Sequence, residues 1–261
     1  MTEYSDILIV GGGISGLLTA RELSMAGLSV TILEKSAIGR ESSWAGGGIL
    51  LPIYPWRQPP AISDLVMDSL RRYPDLSHQL LEASGIDPEW TACGMLICKN
   101  PDLAQAEAWC LERGVRHQKP DAQLMSFATD YIDPLWLPDI AQARNPRLIK
   151  SLKAFLENRG VRLIEHCDIL TIENTARRIN AVNTRDHRYT FEQLIVCTGA
   201  WTKHLLSDYL PASKWTPAIE PVRGQMLLFD AEPETLRCMV LDGDHYLIPR
   251  RDGKILAGSS V

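Results

Sequence analysis

The chain has 261 residues, 45% of them hydrophobic and 23% charged, with a net charge of −5. That is an ordinary globular composition with room for two domains, and its acidic balance argues against a polyanion-seeking surface, so nucleic acid is not an expected partner. No apolar run reaches the ~20 residues that a bilayer span requires, and membrane association is not indicated.

The opening Met1–Asp6 lacks a basic-then-apolar leader pattern, and six scattered cysteines form no C-x-x-C pair. Both point to a reducing cytoplasm. Cys93 and Cys98 could supply half a metal site, but no second Cys or His pair stands at a matching spacing, so no metal is expected. The sequence leaves a homo-oligomer open.

Asp6–Val10 is a short apolar run ending in glycines, the pattern of a strand buried on both faces of a parallel sheet. A helix is predicted over Ile14–Met25, where Leu17, Leu18, Ala20 and Leu23 recur at helical spacing and Gly27 stands at the expected left-handed cap. Leu28–Leu33 reads as the second strand. A long structured loop then carries Ser42-Ser43-Trp44-Ala45-Gly46-Gly47-Gly48 into a Pro-rich stretch, Tyr54–Pro60.

Helices are expected over Ile62–Tyr73, Leu76–Ser84 and Leu103–Arg113, with a strand at Gly94–Cys98. Asn145–Asn158 is a further helix, followed by Gly160 and a strand over Val161–Glu165. Ile169–Glu173, Arg178–Thr184 and Tyr189–Phe191 read as a small meander, and Leu194–Gly199 as another buried strand ending in glycine. The last third predicts strands at Gln225–Phe229, Tyr246–Pro249 and Lys254–Ala257, an antiparallel pattern. The chain then stops at Gly258-Ser259-Ser260-Val261, which reads as an interrupted domain.

Gly11-Gly12-Gly13-Ile14-Ser15-Gly16 fits G-x-G-x-x-G between a strand and a helix, the context a dinucleotide loop requires. Gly11 permits the tight turn, Gly13 lets backbone approach a pyrophosphate, and Gly16 lets helix and strand pack closely. The amides of Ile14 and Ser15 open the helix and its favourable dipole. Glu34 ends the second strand about 20 residues on, where a carboxylate accepts both hydroxyls of an adenosine ribose. Lys35 beside it is a further contact candidate. These residues alone do not separate FAD from NAD.

The chain resembles the FAD-dependent D-amino-acid oxidase, glycine oxidase and sarcosine oxidase superfamily, most closely its glycine oxidase branch of thiamine biosynthesis. The likeness rests on the glycine loop, Val30–Lys35, Glu41–Leu50, Asp133-Pro134, Asn145-Pro146, Leu194–Trp201, Pro221–Gln225 and Tyr246–Arg250. The fold it implies is α/β: a Rossmann-type FAD-binding domain (1–80 plus 145–220) interleaved with an antiparallel-sheet substrate or cap domain (81–144 plus 221–261), C-terminally incomplete. It further implies that Ser42, Ser43, Ala45, Gly46, Gly47 and Gly48 run beneath the isoalloxazine, where a planar ring needs close backbone approach. In the same way Ile169 packs on the adenine, and Thr198, Gly199 and Trp201 pass near the cofactor.

The implied activity is oxidation of a small amino-acid or amine substrate, namely glycine, sarcosine or a small D-amino acid. Hydride passes to flavin N5, and the imine hydrolyses to an oxo acid with release of hydrogen peroxide. The flavin does the hard chemistry, so no catalytic histidine is nominated. Tyr246 matches the tyrosine near the substrate carboxylate and is the expected catalytic residue; Arg250 is expected to face away. The family's main carboxylate-binding arginine belongs to a later Gly-Leu-Arg-Pro segment that these residues do not include, so the alternative is a noncatalytic FAD- or nucleotide-binding fragment.

Overall fold

A computed structural model describes residues 1–127, 130–175, 178–209 and 219–260. In chain order the strands are β1 (Thr2–Val10), β2 (Val30–Leu33), β3 (Thr91–Ala92), β4 (Met95–Ile97), β5 (Leu135–Leu137), β6 (Ala141–Gln142), β7 (Arg162–Ile164), β8 (Thr171–Asn174), β9 (Ile179–Asn183), β10 (Arg188–Val196), β11 (Gln225–Phe229), β12 (Met239–Asp242), β13 (His245–Pro249) and β14 (Ile255–Ser260). The helices are α1 (Ile14–Met25), α2 (Ser42–Ala45), α3 (Pro60–Ser84), α4 (Leu103–Arg113), α5 (Asn145–Asn158) and α6 (Thr202–Tyr209).

The chain divides into two compact units. The first comprises Met1–Gly46, Leu80–Ile86 and Ile149–Arg223; the second Gly47–Gln79, Asp87–Leu148 and Gly224–Val261. They part from the expected boundaries chiefly at 47–79, because Ile49, Leu51, Ile53, Val66, Met67 and Leu70 pack into the core of the second unit. Of the expected segments, 210–218 and Val261 lie outside the described residues.

The first unit holds a six-stranded sheet in the order β7-β2-β1-β10-β9-β8. β1 lies parallel to both β2 and β10, and β2 parallel to β7. Its residues Leu8 and Ile9 are fully buried, as the continuous apolar run predicts for a central parallel strand. α1 covers the sheet with Leu17 and Ala20, both fully buried, and Gly27 (φ +87°) turns the chain back into β2. Because β1 has a parallel neighbour on either side, its C-terminal end is a topological switch point, the place where open α/β sheets bind ligands.

The second unit is built on a sheet of order β11-β14-β13-β12-β4-β5. It was expected to be antiparallel. All its pairings are antiparallel except β4 with β12, which run parallel. Met95, Ile97, Met239, Leu241 and Ile248 fill one face, against α3 and α4; Leu96, Cys98, Cys238 and Val240 fill the other.

Three further elements differ from expectation. α3 is one helix through Pro74, not two. Proline costs an interior hydrogen bond, but buried Leu80 beyond it and the packed Val66, Met67 and Leu70 before it hold both halves helical. β10 runs without a break across Glu192 and Gln193, because its whole length pairs with β1. β12 carries no alternation, being buried on both faces, and was not anticipated.

Candidate functional site

The glycine loop sits at the switch point of the first unit. Gly11 takes φ +108° and donates its amide to the Leu33 carbonyl at 2.9 Å, and a Cβ there would overlap the Cys197 carbonyl at the end of β10. A Cβ on Gly16 would overlap the Gly11 carbonyl oxygen, so strand and helix meet too closely for any side chain. Gly13 differs: at an ordinary φ of −74°, a Cβ there would meet only the Ser43 hydroxyl, at 3.2 Å. Gly11 and Gly16 are thus required by the protein itself, while Gly13 leaves its side open.

α1 begins directly behind this opening. A helix leaves its first amides without intrahelical partners and carries a partial positive charge at that end. The Ile14 amide donates to Ser43 Oγ at 2.9 Å, and Ser15 is exposed. Glu34 is fixed beside the loop: its Oε2 accepts from the Gly12 amide at 2.7 Å and its Oε1 from the Ser36 amide at 2.9 Å. Its own backbone is tied to the β7 side through Ile164 and Cys167. Lys35 is exposed. Just beyond, the Ile38 amide donates to Glu165, whose carboxyl is held below its usual range by the hydrogen bond from Lys153.

Ser42–Ala45 forms one helical turn instead of open loop, with Arg40 stacked 4.0 Å over the Trp44 ring. This turn is what brings Ser43 to the start of α1; Gly46 then leaves it extended. Ile169 packs against the Leu8–Phe191 core, its carbonyl accepting from Tyr209 Oη at 2.6 Å. Thr198 Oγ1 lies 3.0 Å from Thr202 Oγ1, Gly199 takes φ +51°, and Trp201 is 51% exposed beside His204.

The second unit carries Gly47, Gly48 and Tyr246. Gly48 has φ +78° and a Cβ there would overlap the Ala143 carbonyl, whose own amide donates to Gly48 O at 2.9 Å. Gly47 is hemmed in differently: a Cβ would stand 2.8 Å from Ile248, 3.1 Å from Tyr246 and 3.2 Å from Met226. A Cβ on Gly258 would also lie 3.0 Å from the Tyr246 ring, so two glycines leave room for the phenol. Burial pushes the Tyr246 hydroxyl up from its ordinary value, and a hydrogen bond with Ser259 works against that shift. Tyr246 also lines a pocket of about 490 Å³, with Asp242, His245, Gln225, Leu227 and Ser259.

Arg250, expected to face away from the substrate, is not among the residues lining that pocket and is instead engaged by the Gly47 segment. Its Nη2 donates to the Gly47 carbonyl at 2.8 Å and its Nη1 to Gln142 Oε1, and burial, assisted by Arg144, lowers its pKa to about 10.

The residues present fit an FAD adenylate and pyrophosphate: a side-chain-free loop, a helix N-terminus behind it, and a carboxylate fixed at the strand end. A family described as DAO, FAD dependent oxidoreductase, matches residues 6–261. The chain belongs to this family of FAD-dependent oxidoreductases. It is 39% identical over 269 residues to a glycine oxidase of Pseudomonas putida, with 98% of this chain and 71% of that protein covered. It is also 28% identical to the bifunctional protein ThiO/ThiG of Synechocystis, covering 39% of it. The glycine oxidase structure from Geobacillus kaustophilus shares the fold with a TM-score of 0.90 at 21% identity, over 99% of this chain and 72% of that one. Among the described residues no helix is long and apolar enough to cross a membrane.

Proposed function

We propose that this chain is an amine-oxidising flavoenzyme acting on glycine, sarcosine or a small D-amino acid. The 39% identity to a glycine oxidase across nearly the whole chain supports that substrate class. The observation that carries the reading is the close approach of Tyr246 to Gly47, which sets the glycine run after β2 beside a tyrosine that lines the pocket.

In this reading Gly11, Gly13, Ile14, Ser15, Gly16, Glu34 and Lys35 take the ADP moiety, with Ile169 at the adenine. Ser42, Ser43, Ala45, Gly46, Gly47 and Gly48 take the flavin ring, with Thr198, Gly199 and Trp201 alongside. Bound FAD would supply the two-electron chemistry that oxidises the amine to an imine, with oxygen as the final acceptor. The protein's share is orientation and exclusion of water. Glu34 holds the ribose hydroxyls, α1 presents amides to phosphate, and Tyr246 donates its O–H to the substrate carboxylate. Six free thiols favour a reducing cytoplasm.

Absorbance of the purified chain, followed by peroxide assay with glycine, sarcosine and D-alanine, tests the proposal. A flavin spectrum that bleaches with one of these amines supports it. Bound FAD with no turnover on any of them favours the second reading, a noncatalytic FAD-binding fragment, and failure to bind FAD at all removes both.

A further inference from the structure

Tyr246 and Ile248 of β13, and Arg250 just beyond its end, all approach Gly47. Tyr246 and Ile248 occupy the space a Cβ on Gly47 would need, and Arg250 bonds its carbonyl. The adjoining backbone is laced to the β6 segment: the Ala143 amide bonds Gly48 O at 2.9 Å and the Leu50 amide bonds Ala141 O at 3.1 Å. Gln142, only 3% exposed, completes the arrangement, accepting from Arg250 and donating to Pro249 O at 2.5 Å. A fork-shaped guanidinium can bridge two neutral oxygens in fixed directions; an ammonium on a flexible stem cannot reproduce this.

Arg250 is itself bonded to an amide and a peptide oxygen. The nearby carboxylates Glu89 and Asp252 are engaged by Arg144, at 3.1 and 2.9 Å. Its fork therefore goes to the loop.

We infer that Arg250 is a positioning residue: it clamps the Gly47 peptide and so sets the 46–50 loop against Tyr246 in the form FAD requires. This rests on the reading that the loop carries the flavin ring. Arg250→Met should speed amide exchange at Gly48–Leu50 in the flavin-free protein about tenfold, as loss of a charge-assisted bond would, and leave α4 protected. The same variant should raise the FAD Kd about tenfold. Arg250→Lys, which keeps the charge but not the fork, should fold and fall between the two, which covers the case where Arg250→Met does not fold.

Unchanged exchange at Gly48–Leu50 overturns the inference, as does equal loss of protection across α4, which would make the residue a general support. Faster loop exchange with unaltered FAD affinity also overturns it. Failure of the unsubstituted chain to bind FAD would retire the cofactor reading instead, and the exchange arm then decides the clamp by itself.

Discussion

Gly13 and Gly16 stand three residues apart in one motif, yet the structure assigns them opposite sensitivities. Gly16→Ala puts a methyl group onto the Gly11 carbonyl oxygen and within 3.2 Å of its carbon, with Cys197 Cβ at 3.5 Å behind, so α1 must back away from β1 and β10. Overpacking of this kind costs roughly 1–3 kcal/mol or more, and alanine recovers about 1 kcal/mol in helix propensity. A net loss near 2 kcal/mol should lower Tm by about 4–8 °C in a chain of this size.

Gly13→Ala meets only the Ser43 hydroxyl at 3.2 Å and needs no change of φ, so stability should stay within about 0.5 kcal/mol. Its methyl would instead stand where a pyrophosphate approaches the helix, and FAD affinity should fall by about 100-fold, equivalent to roughly 2.7 kcal/mol. Thermal melts of flavin-free protein and a flavin-fluorescence titration read the two effects separately. A Gly16→Ala chain that melts like the parent, or a Gly13→Ala chain that binds FAD like the parent, would refute the assignment.

Glu34→Gln keeps the side-chain shape but loses the charged acceptor, and the FAD Kd measured by the same titration should rise about 10- to 100-fold. Gly48→Ala places a side chain at φ +78° against the Ala143 carbonyl and should destabilise the second unit, read as a lower Tm with FAD withheld. The Glu173 carboxyl is held down to about 2 by its hydrogen bond from Arg188, then by that from Asn183. Its folded value lies below its ordinary one, so the stability it lends is present above pH ~4.5 and is lost as pH falls toward 2. Glu173→Gln should therefore flatten the acid limb of Tm against pH between those values, and a limb of unaltered steepness would count against the assignment.

What could be read from the sequence was what is decided locally. α1, α4 and α5 span the residues expected of them, and Gly27, expected as the cap of α1, takes positive φ. What escaped depends on distant chain. β12 is a four-residue strand with three apolar residues, Met239–Leu241, whose parallel partner, β4, lies more than a hundred residues earlier, and no local pattern announces that pairing. Glu192 and Gln193 looked like a break only because the ladder with β1 that carries the strand past them is equally non-local. At Pro74 a local rule spoke clearly and lost to packing.

The site divides along the same line. The residues from Gly11 to Gly16, with Glu34, follow a spacing set by one strand, one turn and one helix, so their placement was implicit in the order of residues. Gly47 shows where such reading stops. Its smallness was visible, but the reason for it was not: the space a Cβ would need is taken by Tyr246, Ile248 and Met226, and its carbonyl by Arg250, residues some two hundred positions away. A glycine kept small to admit a flavin and one kept small by its own protein look identical in sequence. For Gly47 the crowding is already supplied by the protein, so any flavin contact must use its backbone, and the orientation of that backbone is what Arg250 fixes.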